Sequence, residues 1–244
     1  MTNVDVEKKT IVPVIVAGDP SLKRTTEQII ALGQAGATLV AVSVPFSDPV
    51  GDGPVIQAAD VRALDNGTNL AGVFAAIAQA RAETDVAIQL TLYANVAYKY
   101  GDTAFAEKCA ALGITDVLVL DLPSQEDDPL PAALRAAGVN LVAVVTTNSL
   151  HTVAPLVADA AHFIFVMPIP GSNSGAIADQ LRLLVPEIRQ HTDLPIIAEI
   201  GLPDVPIPAA ILAAVDGVYL DTVFPAAASA GSEKLSALFQ KLTA

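Results

Sequence analysis

A closed barrel of eight parallel strands and eight helices is the fold class this sequence predicts, and three observations predict it. Short β-rich runs alternate with longer segments of helical period rich in Ala, Leu, Gln and Glu, in units of roughly 25–30 residues. The strand-like runs are nearly continuous in apolar residues, as in Val117-Leu118-Val119-Leu120, which parallel strands covered on both faces require. The length, 244 residues, is close to that of an eight-fold β/α barrel, and no linker or low-complexity stretch divides it. A single (β/α)8 domain over 1–244 is expected.

The elements follow in order. The first strand, 11–17, is an unbroken apolar run that stops at Gly18-Asp19-Pro20. A helix over 22–35 closes at Gly36, a common helix terminator, and leads to a strand at 38–44. The stretch Pro45 to Pro54 is punctuated by proline and glycine and reads as a loop. A helix at 69–83 and a strand at 86–92 come next, then a helix at 102–112 closed by Gly113. The strand at 116–121 and the helix at 129–137, closed by Gly138, complete the fourth unit. Strands at 140–146, 162–168, 195–200 and 217–221 alternate with helices at 150–160, 176–191, 206–214 and 232–243. A doubly wound sheet is the competing architecture. It is disfavoured because no G-x-G-x-x-G follows the first strand.

Composition excludes several functions. The formal net charge is −13 and the pI about 4.4, and no Lys/Arg cluster offsets this, so nucleic acid and anionic membranes are not expected partners. Cys109 is the one cysteine, which rules out an internal disulfide and a cysteine-based zinc site. The three histidines show no H-x-x-x-H or H-x-x-E-H spacing, so zinc hydrolase chemistry is disfavoured as well. No apolar run reaches the roughly 20 residues that span a bilayer, and Met1 to Lys9 is polar. A cytoplasmic protein is expected, with neither metal nor cofactor.

In such a barrel the C-terminal strand ends line one mouth, where chemistry is done. Those ends carry Asp19, the Pro45–Gly53 loop, Tyr93 and Asn95, Asp121, Thr146 to Asn148, the Pro168–Gly175 loop, Glu199, Asp221 and Thr222. Asp52, Asp121, Glu199 and Asp221 would make the mouth acidic, and crowded carboxylates raise one another's pKa, a condition for acid/base work. Asp52, between two glycines, is read as functional. Asp48 in Ser-Asp-Pro shapes the turn or meets a partner, and Asp19 is a turn or cap residue. Tyr93 and Asn95 line the pocket or fasten its loops, while Asp121 holds loop backbone. Glu199 and Asp221 either supply acid/base groups or pair with surface cations. A Mg²⁺ or Ca²⁺ ion held by the four carboxylates is the minor alternative.

The chain resembles the tryptophan synthase α subunit family over almost its whole length. The resemblance is carried by Ala17-Gly18-Asp19-Pro20 after strand 1, the long motif Pro45-Phe46-Ser47-Asp48-Pro49-Val50-Gly51-Asp52-Gly53-Pro54 after strand 2, Tyr93-Ala94-Asn95 after strand 3 and Asp121-Leu122-Pro123 after strand 4. It implies an eight-fold barrel that cleaves indole-3-glycerol phosphate to indole and glyceraldehyde 3-phosphate without cofactor or metal. It also implies a pyridoxal-phosphate β subunit as partner, met by the loop carrying Pro45, Asp48 and Pro49. In the family a strand-2 glutamate and a loop aspartate relay protons, and Asp52 matches the aspartate.

This chain departs from the pattern at the mouth. Where the family reads Glu-Leu-Gly-[Ile/Val], it reads Ala41-Val42-Ser43-Val44, so the glutamate position is Ala41. Gln89 replaces a usual interior glycine. The phosphate-binding loops have also changed, with Glu199 and Gly201 in place of Gln-Gly-Phe-Gly, and Asp221-Thr222 in place of Gly-Ser. Pro168-Ile169 replaces Ser-Arg, and Phe165 a common tyrosine, while Gly171 to Gly175 keeps the family character. The resemblance and the strand-end positions together place Tyr93, Asn95, Asp121, Phe165, Gly171, Gly201 and Thr222 around a ligand, with Asp52 as the family's reactive aspartate and Glu199 and Asp221, by their strand-end positions, as candidate new acid/base groups. A carboxylate close to a phosphate oxygen opposes it by about 1 kcal/mol in water and several times that in a shielded pocket. Three readings follow: a barrel that has lost or strongly reduced the family cleavage and takes another small ligand, a working lyase with relocated acid/base residues, and a non-catalytic partner of a β subunit.

Overall fold

Alternation along the strands decides what faces the barrel axis. In β1 (Thr10–Val16), Val12, Val14 and Val16 join an inner apolar cluster with Leu39, Ala41, Leu118, Val142, Phe165, Ile197 and Tyr219. Ile11 and Ile15 point the other way, into the outer layer packed under the helices, as the two-residue period of a strand demands. The computed structural model describes residues 9–122, 128–202 and 206–243. Most of the polar N-terminal stretch and Pro123 lie outside them.

The remaining strands are β2 (Leu39–Ser43), β3 (Ala87–Leu92), β4 (Ile114–Val119), β5 (Asn140–Leu141), β6 (Ala143–Val145), β7 (Ile164–Val166), β8 (Ile196–Glu199) and β9 (Gly217–Leu220). All pairings are parallel, in the order β5-β4-β3-β2-β1-β9-β8-β7-β6. β5 and β6 are two pieces of the fifth strand expected at 140–146. The first piece pairs with β4 and the second with β7, so the barrel closes through the chain itself. At the break, Val142 still donates its N–H to Val117 O at 2.9 Å.

Helices cover the outside as the sequence predicts, with three additions: Pro54–Asp65, Ala94–Tyr100 and Val223–Ala227. Pro54 opens the first of these, a position where its missing N–H costs nothing. Asn69, Ser21 and Asn173 cap three of the expected helices through their side-chain oxygens, each satisfying an otherwise orphaned N–H. Among the described residues no helix is long and apolar enough to cross a membrane.

Candidate active site

The Pro45–Gly53 loop is fixed from two sides. Tyr93, at the end of β3, is almost wholly buried. Its hydroxyl donates to Asp52 Oδ2 at 2.6 Å and accepts from Gly51 N–H at 3.0 Å. Its ring stacks on Phe46, centroids 4.8 Å apart. Gln57, one turn into the next helix, donates to Asp52 O at 2.9 Å. Pro45 is buried, Pro49 half-buried, and Asp48 exposed with its carboxylate taking the Ser47 hydroxyl at 2.6 Å. Burial raises the Asp52 pKa, and the Tyr93 hydrogen bond moderates that rise.

Opposite, Glu199 ends β8 and Asp221 follows β9. Both line a cavity of about 190 Å³ together with Gly51, Gly53, Pro54, Val55, the Pro168–Ser172 loop, Ile177, Gly201 and Thr222. Burial, then Asp221 and Asp52, push Glu199 well above the usual carboxylate range. Burial lifts Asp221 to about 6, against hydrogen bonds from the Thr222 hydroxyl and from Glu199. Both acids are thus held above the usual carboxylate range, Glu199 the further, and they release their protons as a pair. Thr222 Oγ1 donates to Asp221 Oδ1 at 3.2 Å. A methyl group on Gly201 would lie 3.7 Å from both Asp221 oxygens, so this glycine keeps the space before the carboxylate open.

The rest of the wall is set by backbone geometry. Gly171 adopts φ +77°, which disfavours any side chain. Gln180 reaches back from the helix Ser174–Arg189 to accept from Ile169 N–H at 2.8 Å and donate to Ser172 Oγ at 3.0 Å. Phe165 is fully buried and meets Tyr219 edge-on at 5.1 Å; it is not among the residues that line the cavity. The Tyr219 hydroxyl bonds Thr91 Oγ1 at 2.7 Å, and Gln89 Nε2 donates to the same oxygen at 3.0 Å. Ala41 lies between Val14 and Gln89 in strand register and is fully buried. No acid stands there.

Of the expected site residues, the structure brings Glu199, Asp221, Thr222, Gly201 and Gly171 onto one cavity, with Asp52 on its loop close enough to raise the charge cost of both acids. Asp121 and Asn95 stand apart. Asp121 is exposed and accepts from Ala94 N–H at 2.7 Å, and Asn95 is exposed on the helix that begins there. Asp19 accepts from Arg62 Nε at 2.9 Å and from Nη2 at 2.7 Å. Among the described residues no group of three or more His, Cys, Asp or Glu side chains could hold a metal. Sequence reasoning missed Gln180, Thr91, Tyr219 and Asp60. Asp60 falls at helical spacing with Ile56, Ala59 and Ala63, all buried, and a charged residue on an apolar helix face is the signal that marks it.

The tryptophan synthase alpha chain family profile matches residues 2–222. A tryptophan synthase alpha chain from Lacticaseibacillus casei is 34% identical over 239 residues, covering 96% of this chain and 89% of the relative. One from Bacillus mycoides is 33% identical over 198 residues, 80% of this chain and 77% of the relative. A solved Mycobacterium tuberculosis tryptophan synthase superposes with a TM-score of 0.88 at 24% identity, covering 98% of this chain and 92% of that one. A chain of the Pyrococcus furiosus tryptophan synthase complex gives 0.82 at 24% identity, over 96% and 95%. These two structures speak for the fold. The profile and the sequence relatives go further, and the chain belongs to the tryptophan synthase alpha chain family.

Proposed function

We propose that the cavity is a small-molecule site in which the family's retro-aldol cleavage of indole-3-glycerol phosphate is lost or strongly reduced, and which takes an uncharged or cationic ligand. The carrying observation is the Glu199–Asp221 pair, set in the loops where a phosphate would be anchored and without a cation beside it among the groups that shift it. A phosphate dianion brought there meets at least one negative charge in a partly shielded site. The second supporting observation is Ala41, fully buried where the relay needs a glutamate. A missing relay member costs a factor of about 10²–10⁴.

One observation favours the alternative of a working lyase. The charge of Asp52 helps raise Glu199, while Asp52 keeps the Tyr93 hydrogen bond that lowers its own pKa, and an acid and a base with separated pKa values are what relocated proton transfer needs. A non-catalytic role beside a β subunit is a third possibility. The exposed Val50, on the loop after β2, and Ile169, on the loop after β7, offer apolar surface at the rim for such a partner.

Indole release from indole-3-glycerol phosphate, with and without a family β subunit, separates these. The first reading expects no turnover in either condition, or turnover far below that of a family enzyme. Efficient turnover abolished by Asp52→Asn overturns it in favour of the relocated lyase. A stable complex with the β subunit, and no stabilisation of the free chain by small ligands, favours the third.

A further inference from the structure

We infer that Tyr219 is a specificity-determining residue: its ring closes the barrel interior beneath Glu199 and Asp221 and restricts the site to compact ligands without an aromatic ring system. The inference rests on the reading of the cavity as a small-molecule site and adds the class of molecule admitted. Asp221 follows Tyr219 at the end of β9, one residue between them, and Glu199 is the register partner of Tyr219 on β8. Side chains two apart on a strand, and partners in register, share a face. Both acids line the cavity, while Tyr219 belongs to the inner apolar cluster with Ile197, so its ring lies one layer deeper than the acids.

The side chain spans the interior. Its hydroxyl bonds Thr91 Oγ1 on β3 at 2.7 Å, although β1 and β2 stand between β9 and β3 in the sheet. From the other direction Phe165, on β7, meets the ring edge-on at 5.1 Å. Gln89, on the same face of β3 as Thr91, donates to the same Thr91 oxygen at 3.0 Å. Tyr219 is 3% exposed and Thr91 4%, and Gln89, Phe165, Leu118 and Ala41 expose nothing, which leaves no ligand-sized space among them. Gln89 Oε1 has no hydrogen-bond partner among the described residues, a cost that an apolar filling would avoid. The polar chain from Gln89 through Thr91 instead fixes the phenol end of Tyr219 at one depth. Above the ring the cavity measures about 190 Å³, less than the roughly 300–1,000 Å³ of sites that enclose drug-sized ligands. Glu199, Asp221 and Thr222 offer it hydrogen-bond partners, so a short polyol or a small amine fits. A bicyclic aromatic would have to displace the Tyr219 ring.

Indole probes this space directly. It is uncharged, so the acids do not decide its binding, and the chain has no tryptophan to mask its emission. Titrated with the protein and with Tyr219→Val, indole should bind the variant at least about tenfold more tightly, with the blue-shifted emission of an apolar enclosure. Tyr219→Phe, which keeps the ring, should bind it no better than the unaltered protein does. Equal binding to the protein and to a folded Tyr219→Val, or binding to neither, overturns the proposal. So does a Tyr219→Phe variant that binds as tightly as Tyr219→Val. Should Tyr219→Val not fold by far-UV dichroism, Tyr219→Leu takes its place with the same expectation. Failure of the underlying reading shows elsewhere, as tight binding of glycerol 3-phosphate to a protein that still excludes indole.

Discussion

The two halves of the mouth treat their carboxylates differently. On the side of β1 to β4 three acids at the strand ends have a partner that suits their charge: Asp19 has Arg62, Asp52 has the Tyr93 hydroxyl, and Asp121 has the Ala94 N–H. On the side of β8 and β9, Glu199 and Asp221 have each other and the Thr222 hydroxyl. The first half is a held scaffold. The second stores electrostatic cost, which a fold tolerates at a site that binds something able to relieve it. A hydroxyl-bearing or cationic ligand relieves it, and a phosphate adds to it.

The largest expected effect breaks this contrast by adding a further acid. Ala41→Glu would put a carboxyl at a fully buried position between Val14 and Gln89. A loss of about 3 kcal/mol is expected from overpacking and desolvation, read by urea unfolding, with no strong gain in cleavage. If cleavage rises strongly instead, the cavity still accepts the family substrate.

Next in size is the held half. Arg62→Ala would leave Asp19, 2% exposed, without its cation. Because Arg62 itself is half-exposed, the full value of a buried pair is discounted to about 2 kcal/mol, measured as a shift in the unfolding midpoint. Tyr93→Phe removes one hydrogen bond to Asp52 and one from Gly51, costing about 1–2 kcal/mol. It should also move the Asp52 pKa further up, since the hydrogen bond it loses lowers that value.

The smallest effect concerns the strained half. Asp221 titrates near 6 in the fold against 3.8 as its ordinary value. The folded protein therefore binds the proton more tightly than the unfolded chain, so this group's contribution is fully present below about pH 4 and is lost as pH rises through about 6. Asp221→Asn should flatten that part of the stability profile and raise stability at neutral pH by about 1 kcal/mol or more. An unchanged profile would mean that the pair is relieved by a cation or by opening to solvent.

Much of this was legible in the residues. The eight barrel strands and the mouth positions follow from apolar runs and from Gly36, Gly113 and Gly138 closing helices. The loop motif marked Asp52, and strand-end position marked Glu199 and Asp221. What was not legible had physical causes. The helix Pro54–Asp65 begins inside a Pro/Gly motif, so its period was hidden and Asp60 with it. The break in the fifth strand at Val142 depends on pairing with two neighbours, β4 and β7, which no local pattern encodes. Phe165 looks like a pocket residue by position, yet Tyr219 covers it, and that contact crosses strands far apart in sequence. Asp121 is exposed and takes the Ala94 N–H at 2.7 Å, whereas Asp52 is bonded by the Tyr93 hydroxyl, a difference that rests on residues far along the chain.

Calorimetric titration with glycerol 3-phosphate at neutral pH, of the protein and of its Glu199→Gln/Asp221→Asn variant, bears most directly on the divided mouth. No detectable binding to the protein, with binding appearing in the variant, is the expected result: the neutral amides remove the opposing charge while keeping the cavity's shape. Tight binding to the unaltered protein, weakened by the two substitutions, would contradict it and make the carboxyl pair a phosphate partner through a proton it retains.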